Sequence, residues 1–70
     1  MVSQILYDAD TDRLRFDGDP LFCGQCLDVL VYNGLSGSPE WVSTRVEYGS
    51  SGWYLVGLLG YSVHGLFGRM

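Results

Sequence analysis

Lysine is absent from this 70-residue chain. The basic side chains are Arg13, Arg15, Arg45 and Arg69, scattered along the sequence and outnumbered by eight acidic residues, for a formal charge of −4. Affinity for nucleic acid rests on phosphates neutralised by clustered Lys and Arg, so direct binding to DNA or RNA is disfavoured. An anionic membrane surface is disfavoured on the same ground, and no apolar run approaches the roughly twenty residues that a spanning helix needs. Met1 to Gln4 contains no basic segment leading into an apolar one, which points away from a secretory signal and toward the cytoplasm. Amphipathic helical periodicity of useful length is missing as well, and ten glycines with two prolines suit many tight turns instead.

Cysteine and histidine are scarce, with two of the first and one of the second. In a reducing compartment a pair of cysteines is read as free thiols or metal ligands before a structural disulfide. Cys23-Gly24-Gln25-Cys26 has the spacing to hold one face of a tetrahedral zinc, but a structural site takes four ligands. His64 would be a third, and a complete site requires a dimer donating two pairs, or a partner. Redox use of the motif calls for a helix start, whereas a strand pattern follows here. The simplest reading is two small apolar residues at the entrance to a strand, with no cofactor. Nothing in the sequence fixes a nucleophile or a carboxylate beside His64, and no acid, base and nucleophile set is discernible, so an enzyme is not expected. Gly57, Gly60, Gly65 and Gly68 lack the strand-to-helix transition and the lysine of a phosphate loop, and read as sharp bends.

What the chain does have is aromatic area: two tryptophans, five tyrosines and three phenylalanines. One domain of this size sits near the lower limit for a core without staples, so that core must be dense. In Trp41-Val42-Ser43-Thr44-Arg45-Val46-Glu47-Tyr48 the even positions are apolar or β-branched and most odd positions polar, the alternation of a half-buried strand. Gly49-Ser50-Ser51-Gly52 is a turn, and Trp53-Tyr54-Leu55-Val56-Gly57-Leu58 a second strand. A turn symmetric about Ser50 and Ser51 predicts Tyr48 opposite Trp53, Val46 opposite Leu55 and Thr44 opposite Gly57 on a core face. The reverse face then carries Trp41, Ser43, Arg45 and Glu47 beside Tyr54, Val56 and Leu58. A one-residue slip would turn one strand's apolar set outward.

Upstream, Ile5-Leu6-Tyr7 and Arg13-Leu14-Arg15-Phe16 flank Asp8-Ala9-Asp10-Thr11-Asp12, predicting a hairpin with Tyr7 opposite Leu14 and Ile5 opposite Phe16. The alternating aspartates resemble the start of a calcium loop, but Arg13 stands where its glycine is required and Asp19 where its bidentate Glu belongs, leaving an ordinary solvated turn. Asp17-Gly18-Asp19-Pro20 is a further turn, and Leu27 to Tyr32 a third strand. Asn33 to Glu40 reads as a flexible loop, Leu59 to Ser62 as a short turn or a single helical turn, and Val63 to Met70 as a last strand interrupted by glycines. Together these predict an all-β fold, a small SH3-like barrel of five to six short antiparallel strands spanning residues 1–70.

The pattern Leu21-Phe22-Cys23-Gly24, Leu27-Asp28-Val29, Trp41 to Tyr48 and Gly52 to Leu58 resembles a family of short uncharacterised bacterial domains, found mainly in Firmicutes and often near mobile elements. The resemblance runs from Ile5 to Arg69. Cys26 and the insertion from Asn33 to Pro39 depart from it. It implies a bacterial, cytoplasmic, non-enzymatic protein and supplies no biochemical role. From the residues themselves, the leading expectation is an interaction module. Its aromatic hairpin face of Trp41, Arg45, Glu47 and Tyr54 would bind a protein partner or form a homodimer. Two alternatives are an acidic decoy using Asp8, Asp10, Asp12, Asp17 and Asp19 to occupy a nucleic-acid-binding groove, and a zinc-linked dimer through Cys23 and Cys26.

Overall fold

Alternating side chains and closely spaced turn residues leave strands as the regular structure of this chain. A computed structural model describes residues 1–33, 35, 37–58 and 60–70. Among these residues seven strands form, β1 (Val2–Asp8), β2 (Arg13–Phe16), β3 (Asp19–Pro20), β4 (Cys26–Asn33), β5 (Ser38–Gly49), β6 (Gly52–Leu55) and β7 (Phe67–Arg69). They pair antiparallel in one sheet of order β3-β2-β1-β7-β4-β5-β6. The fold is thus all-β and barrel-like, with seven strands where five to six were expected. Among the described residues no helix is long and apolar enough to cross a membrane.

Local chemistry explains the turns. Asp17 and Gly18 both take positive φ, 53° and 83°, the backbone of a type I′ hairpin turn, and Phe16 pairs with Asp19 across it. At Phe22-Cys23-Gly24-Gln25 the Gln25 N–H donates to the Phe22 carbonyl at 3.0 Å and Gly24 has φ +85°, which marks a type II turn. Gly24 N–H then donates to Val46 O at 2.7 Å and Val46 N–H to Gln25 O at 2.9 Å. Two residues thus oppose one, a bulge with glycine in its left-handed position. The Cys-Gly-Gln-Cys motif is therefore a turn fused to a bulge, which aims β4 along β5.

Both predicted hairpins form in their predicted registers, Ile5 with Phe16 and Tyr7 with Leu14, then Val46 with Leu55 and Tyr48 with Trp53. The second ladder stops at Leu55, because Gly57 turns away with φ +81°, so Thr44 does not pair with Gly57; its Oγ1 instead donates to Val56 O at 2.7 Å. The loop from Asn33 to Glu40 is a correction: Asn33 pairs with Ser38, and β5 already begins there. Of the predicted loop, Gly34 and Ser36 lie outside the described residues, as does Leu59 of the predicted turn before Ser62. The last strand is a second correction, reduced to Phe67–Arg69, with Val63 to Leu66 folded as a turn closed by Leu66 N–H on Val63 O at 3.2 Å.

That turn belongs to the crossing from β6 to β7, which lies over the concave face of the sheet. Ile5, Leu14, Phe16, Leu21, Leu27, Val29, Val31, Val46, Leu55 and Val63 are buried there, with Val42, Trp53, Leu58 and Leu66 packed against them. Leu58 thus faces the core rather than the reverse side of the hairpin. Tyr48, expected in the core, is 50% exposed, and Trp53 is half-buried. Gly68 sits mid-strand because a Cβ there would stand 3.0 Å from Leu27 Cδ1 and 3.3 Å from Phe16 Cε2. Its role is close packing and not the bend expected of it. The molecule measures 19 Å along its shortest axis, which accommodates the sheet and one covering layer at about 10 Å each.

Candidate functional site

The outer face of the sheet follows from the register, since residues paired across strands share a side. Trp41 lies opposite Leu30, Ser43 opposite Asp28, Arg45 opposite Cys26, and Asp28 in turn opposite Arg69. Glu47 lies opposite Tyr54 on β6. The sequence-predicted quartet of Trp41, Arg45, Glu47 and Tyr54 therefore shares one face, as its alternation required. Four residues along β5 still separate Trp41 from Arg45 by about 13 Å.

The details of that face differ from expectation at its arginines. The cation stacked on Trp41 is Arg69, its guanidinium carbon 4.4 Å from the ring centre, while Arg45 Nε pairs with Glu47 Oε2 at 3.1 Å. Arg69 Nε also donates to Asp28 Oδ2 at 3.0 Å, and Ser43 Oγ to Asp28 Oδ1 at 2.8 Å. The Ser43 hydroxyl and then the Arg69 guanidinium hold the Asp28 carboxyl below its ordinary value of 3.8. A shallow groove of about 670 Å³ opens here, with Met1, Val2 and Val56 as apolar walls and Ser43, Arg45 and Arg69 as polar ones. Periodicity in the 41–48 segment could not reveal Asp28 or Arg69, which reach the site from β4 and β7.

A second feature of β5 is its edge. The bonds of Val46 N–H and C=O to Gln25 and Gly24 aim that residue's backbone at the β4 side, while Arg45 C=O accepts Val56 N–H at 3.1 Å on the β6 side. Backbone direction alternates along a strand, so the N–H and C=O of Trp41 and Ser43 point with Arg45, away from β4. β6 pairs only with Val46 to Gly49. Among the described residues, nothing pairs with the backbone of Trp41 or Ser43 on that side. An open edge of this kind is a template for another strand.

A third cluster was missed by the sequence reading, which placed Asp12 in a solvated turn. Asp12 holds φ +52° and bonds residues from both hairpins: Tyr7 Oη donates to its Oδ1 at 2.7 Å, Tyr48 Oη to its Oδ2 at 3.0 Å, and Trp53 Nε1 to its carbonyl at 2.9 Å. β2 and β6 lie far apart in strand order, so these bonds tie the two flanks of the curled sheet together. The two tyrosine hydroxyls hold the Asp12 carboxyl below its ordinary value, and the carboxylate in return raises both phenols. Tyr48 and Trp53 meet edge to face at 4.9 Å. Of the other aspartates, Asp8 pairs with Arg15 Nε at 2.9 Å, which holds its carboxyl low, while Asp10, Asp17 and Asp19 are exposed.

Cys23 and Cys26 are exposed free thiols rather than small apolar residues tucked into a strand entrance. Among the described residues no three His, Cys, Asp or Glu side chains gather as a metal set, so His64 does not join the cysteines. It lies in the Val63 to Leu66 turn and not on a strand, where its Nδ1 accepts the Tyr7 N–H at 2.9 Å.

Fold and surface together define a small β half-barrel with a packed concave side, a solvent-facing convex side and, among the described residues, an edge of β5 left unpaired at Trp41 and Ser43. The chain belongs to the family described as a domain of unknown function (DUF5348), whose model matches residues 3–66. No curated protein and no solved structure matches it.

Proposed function

We propose that this domain is a non-enzymatic interaction module that self-associates through the free edge of β5, with the aromatic outer face forming the contact's flank. The observation that carries this reading is the outward-pointing backbone of Trp41 and Ser43, next to Trp41 and Arg45 themselves. A second copy related by a two-fold axis at Val42 sets Trp41 opposite Ser43 of that copy, and four main-chain hydrogen bonds close between them. Val42, half-buried in the single chain, then meets its own counterpart on the concave side. On the outer face Arg45 lies diagonal to Trp41 of the second copy, within reach of a long side chain for a cation–π contact. Pro39, which has no N–H, and the β6 ladder at Val46 bound the free stretch at its two ends and limit the pairing to this short register.

Proline at position 43 removes the outward donor together with the hydroxyl that bonds Asp28. Ser43→Pro is expected to remain folded by near-ultraviolet circular dichroism while losing concentration-dependent association in sedimentation. Ser43→Ala, which loses the Asp28 bond but keeps the N–H, retains association. Association unchanged in Ser43→Pro would refute the reading.

A further inference from the structure

The Asp12 cluster is not used by the β5 contact, and three independent observations bear on it. First, aromatic rings at this end of the molecule already accept a cation: the Arg13 guanidinium carbon lies 4.9 Å from the Phe22 ring centre and 5.5 Å from that of Trp53. Second, Trp53 also borders a separate concavity of about 470 Å³, whose walls include Tyr7, Tyr61, His64 and Asp12. Third, three of the four arginines are paired, Arg15 with Asp8, Arg45 with Glu47 and Arg69 with Asp28. Among the described residues no salt bridge falls on Asp12, and the neighbouring Arg13 acts on it through its field alone. Its two oxygens each receive one tyrosine hydroxyl, which fixes their direction and leaves the negative charge in place, with lone pairs to spare.

We propose that this concavity is a binding site for a cationic side chain, the ammonium of a lysine presented by a basic peptide, with Asp12 as counter-charge and Trp53 and Tyr61 as aromatic walls. The ring faces carry negative potential and attract a cation most strongly where water is partly displaced, which a concave aromatic wall achieves. The carboxylate adds a Coulomb attraction, and the overall charge of −4 favours approach of a basic partner. None of these 70 residues is a lysine, so none of them is the occupant.

The test is a titration of ¹⁵N-labelled protein with N-acetyl-lysine-N-methylamide, following the Trp53 indole resonance. N-acetyl-norleucine-N-methylamide serves as the neutral counterpart of nearly the same shape. A saturable shift is expected with the lysine compound and none with the norleucine compound. Asp12→Asn keeps a residue that tolerates the left-handed backbone and still offers the tyrosines an acceptor, and it is expected to weaken binding about tenfold or more. Tyr61→Leu removes a wall that takes no part in the Asp12 hydrogen bonds, so it weakens binding similarly even if Asp12→Asn proves unfolded. An absent or non-saturating shift, an equal response to norleucine, or wild-type binding by folded variants would overturn the proposal.

Discussion

At the scale of single residues, Asp12 joins more of the molecule than any local pattern around it indicates. Its carboxylate is held low by Tyr7 and Tyr48, Asp8 by Arg15, and Asp28 by Ser43 and Arg69. A lowered folded-state value contributes stability that is present above the ordinary 3.8 and disappears as pH falls through the lowered value. Tyr7 and Tyr48 are raised above 10.0, so their contribution is present below that value and disappears as pH rises through the raised one. The melting temperature is therefore expected to be flat through neutrality and to fall at both extremes. Asp12→Asn should shallow both limbs, because it removes the shared partner. A melting series across pH by circular dichroism checks this, and unchanged limbs in the variant would contradict it. Two glycines separate steric from conformational causes. Gly68→Ala meets Leu27 and Phe16 and is expected to cost about 1–3 kcal/mol. Gly24→Ala meets nothing within 4 Å but must hold φ +85°, at about 1–2 kcal/mol. Urea unfolding of the two variants measures both, and relieving the contact by Leu27→Val should rescue only Gly68→Ala.

At the scale of elements, the hairpins β1–β2 and β5–β6 were legible because alternation and turn residues are local. Ile5 against Phe16 and Val46 against Leu55 follow from counting outward from each turn. The start of β5 was not legible, since Ser38-Pro39-Glu40 carries loop chemistry and becomes strand only because β4 continues opposite it to Asn33. The crossing from β6 to β7 was misread for a related reason. Val63 and Leu66 have the residue types of a strand, yet the open side of the sheet needs a cover, and the chain supplies it as a turn. Of the candidate site, the shared face of Trp41, Arg45, Glu47 and Tyr54 was readable, while Arg69 on Trp41 and Asp12 on Tyr48 depend on contacts between distant parts of the sequence. Trp41→Ala is accordingly expected to weaken self-association without unfolding the domain, because Trp41 is absent from the concave core. Loss of the folded near-ultraviolet spectrum in that variant would contradict the assignment of Trp41 to the contact surface.

At the scale of the whole molecule, a single curled sheet buries one face and leaves the other to solvent. The self-association proposed here uses main-chain groups of β5, so it is indifferent to thiols and metal. Cys23→Ser with Cys26→Ser, or addition of a chelator, should leave the association constant unchanged, whereas a zinc-linked dimer would fall apart under either treatment. The most direct measurement is sedimentation equilibrium over a wide concentration range, on the wild-type chain and Ser43→Pro side by side. The account predicts that wild type rises from its monomer mass of 7.8 kDa toward twice that value while Ser43→Pro stays at the monomer. A wild-type chain that remains monomeric throughout, or a proline variant that dimerises equally well, would contradict it.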